Sequence, residues 1–271
     1  SAPRRARGRP RGWDDKSEQN TIKSLDRAMG VFEYLSEHPG LALSELASRL
    51  GQSPATVYRI LVTLEGRGLV EFDASAQVWH IGPRAFVIGA RFLRRTSLVE
   101  RARPVLRRLM EETGETANLG IVQGASVLFV SQVETYETIR AFFAPGTLSP
   151  LHSSGIGKAL LSQMDPARRD RLLGDDPLEA FTSHTLTDRQ ALAEDLARAK
   201  ALGYAEDREE KNLGMRCIAA SVFDIHDEAV AGLSVSGPTS RMAEEAVPTL
   251  GRAVARAARD LTLALGGTVP V

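Results

Sequence analysis

Small polar residues and glycines gather in a segment that could bind an anion. Residues 151–158 read Leu-His-Ser-Ser-Gly-Ile-Gly-Lys and lead into an apolar run that is typical of a helix. The unpaired amides at a helix start, together with the helix dipole, favour a carboxylate. Ser154, Gly155 and Ile156 would provide these donors, because glycine leaves the approach of a ligand open. A plain serine cap, with glycines that serve only packing, is the alternative.

Two more donors are expected on a strand late in the chain. Residues 233–238 read Leu-Ser-Val-Ser-Gly-Pro. The alternation of a strand places Ser234 and Ser236 on one face, and Val235 on the other. Paired hydroxyls at a strand end can donate to carboxylate oxygens, and we include Val235, which lies between them, in the candidate site. Serines that face solvent are the alternative.

Cys217 and Asp207 are candidates for contacts with the other end of a small ligand. Cys217, the one cysteine of the chain, alternates with Ala219 and Ser221 in a strand pattern, and a small core residue is its default interpretation. Asp207 lies in the acidic segment 204–210, for which a solvated charged face is the default. A buried Asp207 could instead accept a hydrogen bond from a hydroxyl or from a hydrated aldehyde.

An enzyme that uses Cys217 as nucleophile and His152 as base is a further hypothesis. Such a pair needs an orienting group and an oxyanion loop, and the sequence shows neither. It also contains no glycine-rich dinucleotide motif, no phosphate loop and no His-Glu-x-x-His. We therefore predict that the protein is not an enzyme and binds no cofactor or metal.

The charges of the chain are unevenly distributed although they cancel in total, 34 basic against 34 acidic residues. Residues 1–97 carry 15 basic and 10 acidic side chains, and residues 98–271 carry 19 and 24. This division predicts that the first part meets a polyanion. A single cysteine excludes a disulfide framework. The absence of a long apolar run or an apolar leader predicts a soluble, cytoplasmic protein without membrane contact.

The first 20 residues read as a basic arm that is disordered alone, because they contain too few apolar residues to form a core. Arg9 and Arg11, in an Arg-Gly-Arg-Pro-Arg run, would follow phosphates or enter a minor groove. A tail that only improves solubility is the alternative.

Residues 21–82 are predicted to form a winged helix-turn-helix. Apolar residues recur at helical spacing over 22–35 and again over 43–50, and Ser53 with Pro54 starts a third helix. Two strands at 69–72 and 78–81 would form the wing. The third helix would enter the major groove. The candidate DNA contacts of the two helices are Ser44, Ser53, Ala55, Thr56, Tyr58, Arg59 and Thr63.

A linker helix over 83–97 and an α+β domain over 98–271 are predicted to follow. The period changes to two in five segments, at 116–122, 127–133, 138–143, 216–223 and 229–236. Helices are predicted at 98–112, 155–164, 166–173, 188–202 and 241–265. Antiparallel strands with helices packed on them indicate a sensor-type α/β domain, similar to GAF domains.

Several motifs together carry a resemblance to a known family. They are Arg-Gly-Arg-Pro at 7–10, Trp-His-Ile-Gly at 79–82, Leu-His-x-Ser-Gly-x-Gly-Lys at 151–158, Cys-Ile-Ala at 217–219 and Ser-Val-Ser-Gly-Pro at 234–238. The chain resembles IclR-family transcriptional regulators over nearly its whole length. It is similar to the glyoxylate-sensing branch of that family, which includes the repressor of the allantoin regulon.

The resemblance implies a glyoxylate pocket formed by the four segments described above. It also implies a homodimer that reads a pseudo-palindromic operator in double-stranded DNA, often assembled as a tetramer. A regulator of the same family that responds to another small or an aromatic carboxylate is the alternative. The operator sequence and the direction of control stay open, because the recognition helix differs freely between members.

Overall fold

A computed structural model describes residues 21–94, 97–141 and 143–268 of the chain. The chain divides into two compact units, the first ending at Phe92 and the second starting at Leu93. Arg9 and Arg11 lie outside the described residues. Among the residues described, no helix is long and apolar enough to cross a membrane.

The first unit is a helix-turn-helix with a two-stranded wing, as the sequence predicts. Ser53 caps the third helix, and its hydroxyl accepts from the Thr56 amide at 3.2 Å. The wing strands pair antiparallel with Val70 opposite Ile81. The elements are α1 (Lys23–Glu37), α2 (Leu43–Arg49), α3 (Pro54–Glu65), β1 (Val70–Asp73), β2 (Val78–Ile81) and α4 (Pro83–Arg94).

A small core holds the wing and helices α1 to α3 in place. The buried side chains at its centre are Val31, Leu35, Leu46, Val57, Leu61 and Trp79. Trp79 also joins the wing to the α1–α2 connection, because its amide donates to the carbonyl of Leu41 at 2.9 Å. The wing and α3 are therefore fixed relative to each other by one shared core.

The second unit is a six-stranded antiparallel sheet between two layers of helices. The strand order is β5-β4-β3-β8-β7-β6, with α5 and α9 on one face and α6 and α8 on the other. The elements are α5 (Leu98–Thr113), β3 (Thr116–Gln123), β4 (Ser126–Val133), β5 (Leu148–Pro150), α6 (Gly155–Ser162), α7 (Pro166–Leu173), α8 (Arg189–Leu202), β6 (Ala205–Arg208), β7 (Met215–Phe223), β8 (Ala229–Pro238) and α9 (Val247–Ala264).

The strand predicted at residues 138–143 is wrong for the residues that the structure describes there. Residues 138–141 and 143 are irregular, and β4 pairs instead with β5. The reason lies in the main chain at Phe129, whose amide donates to the Thr147 carbonyl and whose carbonyl accepts from Gly146. Gly146 has a φ of +98°, which lets the chain turn back to the sheet there.

Two other elements differ from the sequence prediction. The final helix begins at Val247 rather than at residue 241, which places Pro248, a residue without an amide hydrogen, in the first turn, where proline is best tolerated. Strand β6 was not predicted at all, since its segment reads as an acidic surface. Its backbone pairs with β7 from Ala205 to Arg208, and the side chains of Glu206 and Asp207 are buried.

Candidate effector site and DNA-reading surface

The sheet register brings the candidate effector residues onto one face. Cys217 lies opposite Asp207 on β6 and opposite Ser236 on β8. Ser234 lies opposite Ala219, the next residue of β7 on that face. Because directly paired residues point to the same side of a sheet, these side chains form one polar row under α6.

The N-terminus of α6 approaches this row closely at Gly155. A Cβ at that position would lie 2.7 Å from the Cys217 sulfur, so no other residue fits without a shift. Ser154 serves as the N-cap, with its hydroxyl accepting from the Gly157 amide at 3.0 Å. The amides of Gly155 and Ile156 precede the intrahelical hydrogen bonds and carry the positive end of the helix dipole. This arrangement suits a carboxylate.

The Cys217 sulfur is a neutral thiol in this environment. Burial, followed by the negative charge of Asp207, raises the pKa of Cys217 to about 11, and hydrogen bonds from Ser236, Ser234 and the Gly155 amide only partly oppose this. His152, the proposed base, is hydrogen-bonded through Nε2 to the Glu179 carbonyl at 2.9 Å. Neither group is prepared for nucleophilic catalysis, since a reactive cysteine needs a lowered pKa.

The side chains of two candidate residues, Val235 and Ile156, pack into the protein core. Val235 points away from the polar row and packs in the core between the sheet and helices α5 and α9, so its side chain lies outside the site. The side chain of Ile156 packs onto the sheet, where a Cβ on Gly232 would lie 2.7 Å from its Cγ2. Ile156 therefore offers a ligand its main-chain amide, whereas the main chain of Val235 lies between Ala117 of β3 and Ile218 of β7 in the sheet.

Two amide side chains that the sequence did not single out, those of Asn118 and Gln132, extend the polar row. Asn118 on β3 is fully buried, and its Nδ2 donates to Ser234 and Ser236, each at 3.3 Å. Its Oδ1 accepts from Gln132 on β4 at 3.0 Å. Because Asn118 donates to them, both serine hydroxyls can direct their own hydrogens elsewhere, to the Cys217 sulfur or to a ligand oxygen. The sequence feature that could have indicated Asn118 is its position on the inward face of a strand, because asparagine is disfavoured in strands.

The loop that precedes the α6 segment contributes an aromatic contact. Phe143 stacks on Phe129 of β4 with ring centroids 4.8 Å apart. The preceding residue, Phe142, lies outside the described residues.

The DNA-reading candidates lie on the outer surface of the first unit. Ser44, Ser53, Ala55, Tyr58, Arg59 and Thr63 are exposed, and Thr56 is half-buried beside the cap. A groove between α1 and α3 is lined by Thr56, Arg59 and Thr63 together with Ser24 and Arg27 of α1. The α1 residues were missed because a helix-turn-helix pattern draws attention to the recognition helix alone.

Replacing Arg59 by alanine is expected to weaken operator binding by about 1–3 kcal/mol and to change the sequence preference, if Arg59 contacts a base. Fluorescence anisotropy against a set of single-base operator variants measures both effects. Arg107→Ala is the control, because Arg107 is an exposed arginine of the second unit and its loss lowers the net charge equally. Binding equal to that of the wild type would show that Arg59 does not contact the duplex.

The chain contains a winged helix-turn-helix unit and a second unit whose polar row offers hydrogen-bond donors to a small ligand. This combination defines a DNA-binding transcription regulator with an effector domain. The sequence matches the IclR helix-turn-helix domain over residues 24–74 and the bacterial transcriptional regulator IclR C-terminal domain over residues 90–263. The chain belongs to the IclR family, whose members are regulators and not enzymes.

Relatives cover almost the full chain. The HTH-type transcriptional regulator BhcR of Paracoccus denitrificans is 54% identical over 264 residues, which are 96% of this chain and 95% of that protein. The repressor AllR of Escherichia coli is 35% identical over 97% of each chain. Among solved structures, the IclR protein of Thermotoga maritima superposes with a TM-score of 0.76 at 26% identity, and covers 91% of this chain and 100% of its own.

Proposed function

We propose that this regulator senses glyoxylate, or a similarly small 2-oxo acid, and changes its operator binding in response. The observation that supports this most directly is the convergence of Gly155, Ser234, Ser236, Cys217 and Asp207 around one point. Helix amides and serine hydroxyls match a carboxylate. The thiol and Asp207 match the aldehyde oxygen or its hydrate.

The effector acts by binding two arrangements of the protein with unequal affinity, which shifts their populations. We propose a homodimer that pairs through the DNA-binding half and reads a pseudo-palindromic site, since two-fold symmetry in the protein requires it in the operator. Assembly into a tetramer through the effector domains is part of the same proposal. Exposed apolar residues on α4, among them Phe86, Val87 and Ile88, are consistent with pairing of that half.

A gel shift with the DNA upstream of the protein's own gene, with and without glyoxylate, tests the regulatory function. Either release or tightening of the complex supports the proposal and also gives the direction of control. Calorimetry with glyoxylate, pyruvate and 4-hydroxybenzoate then identifies the effector class. Heat from the aromatic acid alone would favour the alternative of an aromatic effector, and no heat from glyoxylate at millimolar concentration would overturn the proposed ligand.

Deleting residues 1–12 is expected to flatten the salt dependence of DNA binding, because this removes five arginines. Each lost phosphate contact makes the negative slope of log K against log salt shallower by about 0.9, so the loss of five contacts would reduce its magnitude by about 4.5. Affinity measured at several salt concentrations gives the slope. A full-length variant with the five arginines changed to lysine serves as control and should keep the slope. An unchanged slope in the deletion variant would assign the arm no contact with DNA.

A further inference from the structure

Behind the polar row, one buried lysine faces a group of carboxylates. Lys158 on α6 is fully buried, and its Nζ donates to Glu210 Oε1 at 2.6 Å and to Asp195 Oδ2 at 2.7 Å. Asp195 also pairs with Arg198. Asp207 joins this group through the main chain, because its Oδ1 accepts from the Glu210 amide at 2.7 Å.

Asp207 is therefore buried without a cation of its own. In the part of the chain that the structure describes, neither a lysine nor an arginine forms an ion pair with it. The ammonium of Lys158 is already engaged by two other carboxylates. The ammonium of Lys211, the nearest cation on the same connection, lies 3.2 Å from the centroid of the Phe181 ring.

Several titratable groups face Asp207, and burial together with Glu210 outweighs the others in favour of its protonated form. They are the Cys217 thiol from β7, Glu210 and Lys211 from the β6–β7 connection, and Lys158 from α6. Burial, followed by the negative charge of Glu210, raises the pKa of Asp207 to about 7, although the amides of Glu210 and Lys211 and the charge of Lys158 oppose this. A buried carboxylate that lacks a counter-ion normally takes up a proton.

We infer that Asp207 enters the effector complex as a carboxylic acid that donates its hydrogen to an effector oxygen, while Lys158 stays engaged with Glu210 and Asp195. The inference rests on the proposed function, because it assumes that an anionic effector binds at this site. An anion bound beside Cys217 repels negative charge on Asp207. When the pH is above the titration midpoint of Asp207 in the free protein, effector binding is therefore accompanied by uptake of one proton from the solvent. The effector must then carry an acceptor oxygen as well as a carboxylate, which acetate lacks and a 2-oxo acid has.

The free protein gives the first test, and it needs no effector. Carbon-13 NMR of the full chain labelled at aspartate should show one carboxyl with a midpoint near pH 7, and the signal should vanish in Asp207→Asn. A midpoint for Asp207 below about pH 5, near the ordinary value of the side chain, would overturn the inference whatever the ligand is.

Binding gives the second test. Calorimetry with glyoxylate in two buffers of different ionisation heat should show uptake of close to one proton per effector above pH 7, with affinity falling about tenfold for each pH unit. Asp207→Asn should bind with an affinity that no longer depends on pH, because its amide donates at every pH. Glu194→Gln, which removes an exposed carboxylate of α8, should keep the wild-type slope.

The outcomes separate the inference from the proposed function. A slope that persists in Asp207→Asn, or wild-type binding without proton uptake, would overturn the inference while glyoxylate remains the effector. Absence of binding at every pH, with Asp207 still titrating near pH 7, would overturn glyoxylate, and pyruvate then takes its place in the same experiment. Acetate should show no more than weak binding at every pH, and in Asp207→Asn it should gain only the relief of charge repulsion above pH 7.

Discussion

Replacing Lys158 by methionine is expected to lower the free energy of unfolding of the C-terminal unit by about 3–5 kcal/mol, because the buried Glu210 loses its counter-ion and Asp195 keeps only the exposed Arg198. Glu210 and Asp195 both contact the Lys158 ammonium, and their side chains are only 4% and 13% exposed. Methionine fills a similar volume, so the loss reports the unpaired charges rather than a cavity. Thermal and urea unfolding of the full chain measure the effect.

The destabilisation by Lys158→Met should depend on pH. In the wild type, burial alone would raise the pKa of Asp195, but the charges and hydrogen bonds of Lys158 and Arg198 outweigh it and lower that pKa. A lowered pKa gives stability that is present above the unfolded-state pKa and is lost as the pH falls through the folded-state pKa. Because that loss lies below the ordinary aspartate value of 3.8, the contribution of Asp195 is the same at pH 5 and at pH 8. The difference between these two pH values comes from the variant, whose carboxylates lack the charge of Lys158 and favour protonation, which relieves them at the lower pH. Its deficit should therefore be larger at pH 8 than at pH 5.

Lys200→Met is the matched control, because Lys200 lies exposed on α8 and should change stability by less than about 0.5 kcal/mol. A Lys158→Met protein as stable as the wild type at pH 8 would show that the buried cluster does not support the fold. A deficit that grows towards acid pH would mean that the carboxylates are not its cause.

The sequence predicted the parts of the fold that depend on local signals. Ser53 with Pro54 locates the recognition helix because capping chemistry acts within one turn. Strand β6 could not be found in that way, since the burial of Asp207 depends on its pairing with β7 and on α6 above it. Acidic residues on a surface and acidic residues in a pocket have the same local pattern.

The candidate site shows the same division. Serines that alternate along β8 predict a shared face without any knowledge of the neighbouring strands. Asn118 donates to those serines from β3, more than a hundred residues earlier, and only the strand order β3-β8-β7 reveals the contact. Lys158 belongs to a visible motif, yet its two partners come from α8 and the β6–β7 connection. Long-range pairing, rather than composition, determines these contacts.

Changing Ser234 and Ser236 together to alanine is expected to abolish the effector response and to leave DNA binding unchanged. Hydrogen bonds to a charged group contribute about 1.5–3 kcal/mol each, so the loss of two should weaken effector affinity by roughly 10²–10⁴-fold. The Asn118 amide, which donates to both hydroxyls, is then left with unpaired hydrogens in a buried position. DNA affinity should hold, because the DNA-reading surface belongs to the other unit.

Calorimetry with glyoxylate and a gel shift of the same preparation separate the two effects. Ser221→Ala is the matched control, because Ser221 lies on the same face of the sheet but donates to the Ala159 carbonyl within α6, at 2.9 Å. It removes one hydroxyl from under that helix without touching the polar row, and it should respond to the effector like the wild type. If the double variant binds and responds normally while Ser221→Ala does not, the ligand occupies a position further along α6, and the serines of β8 serve only the packing of Asn118.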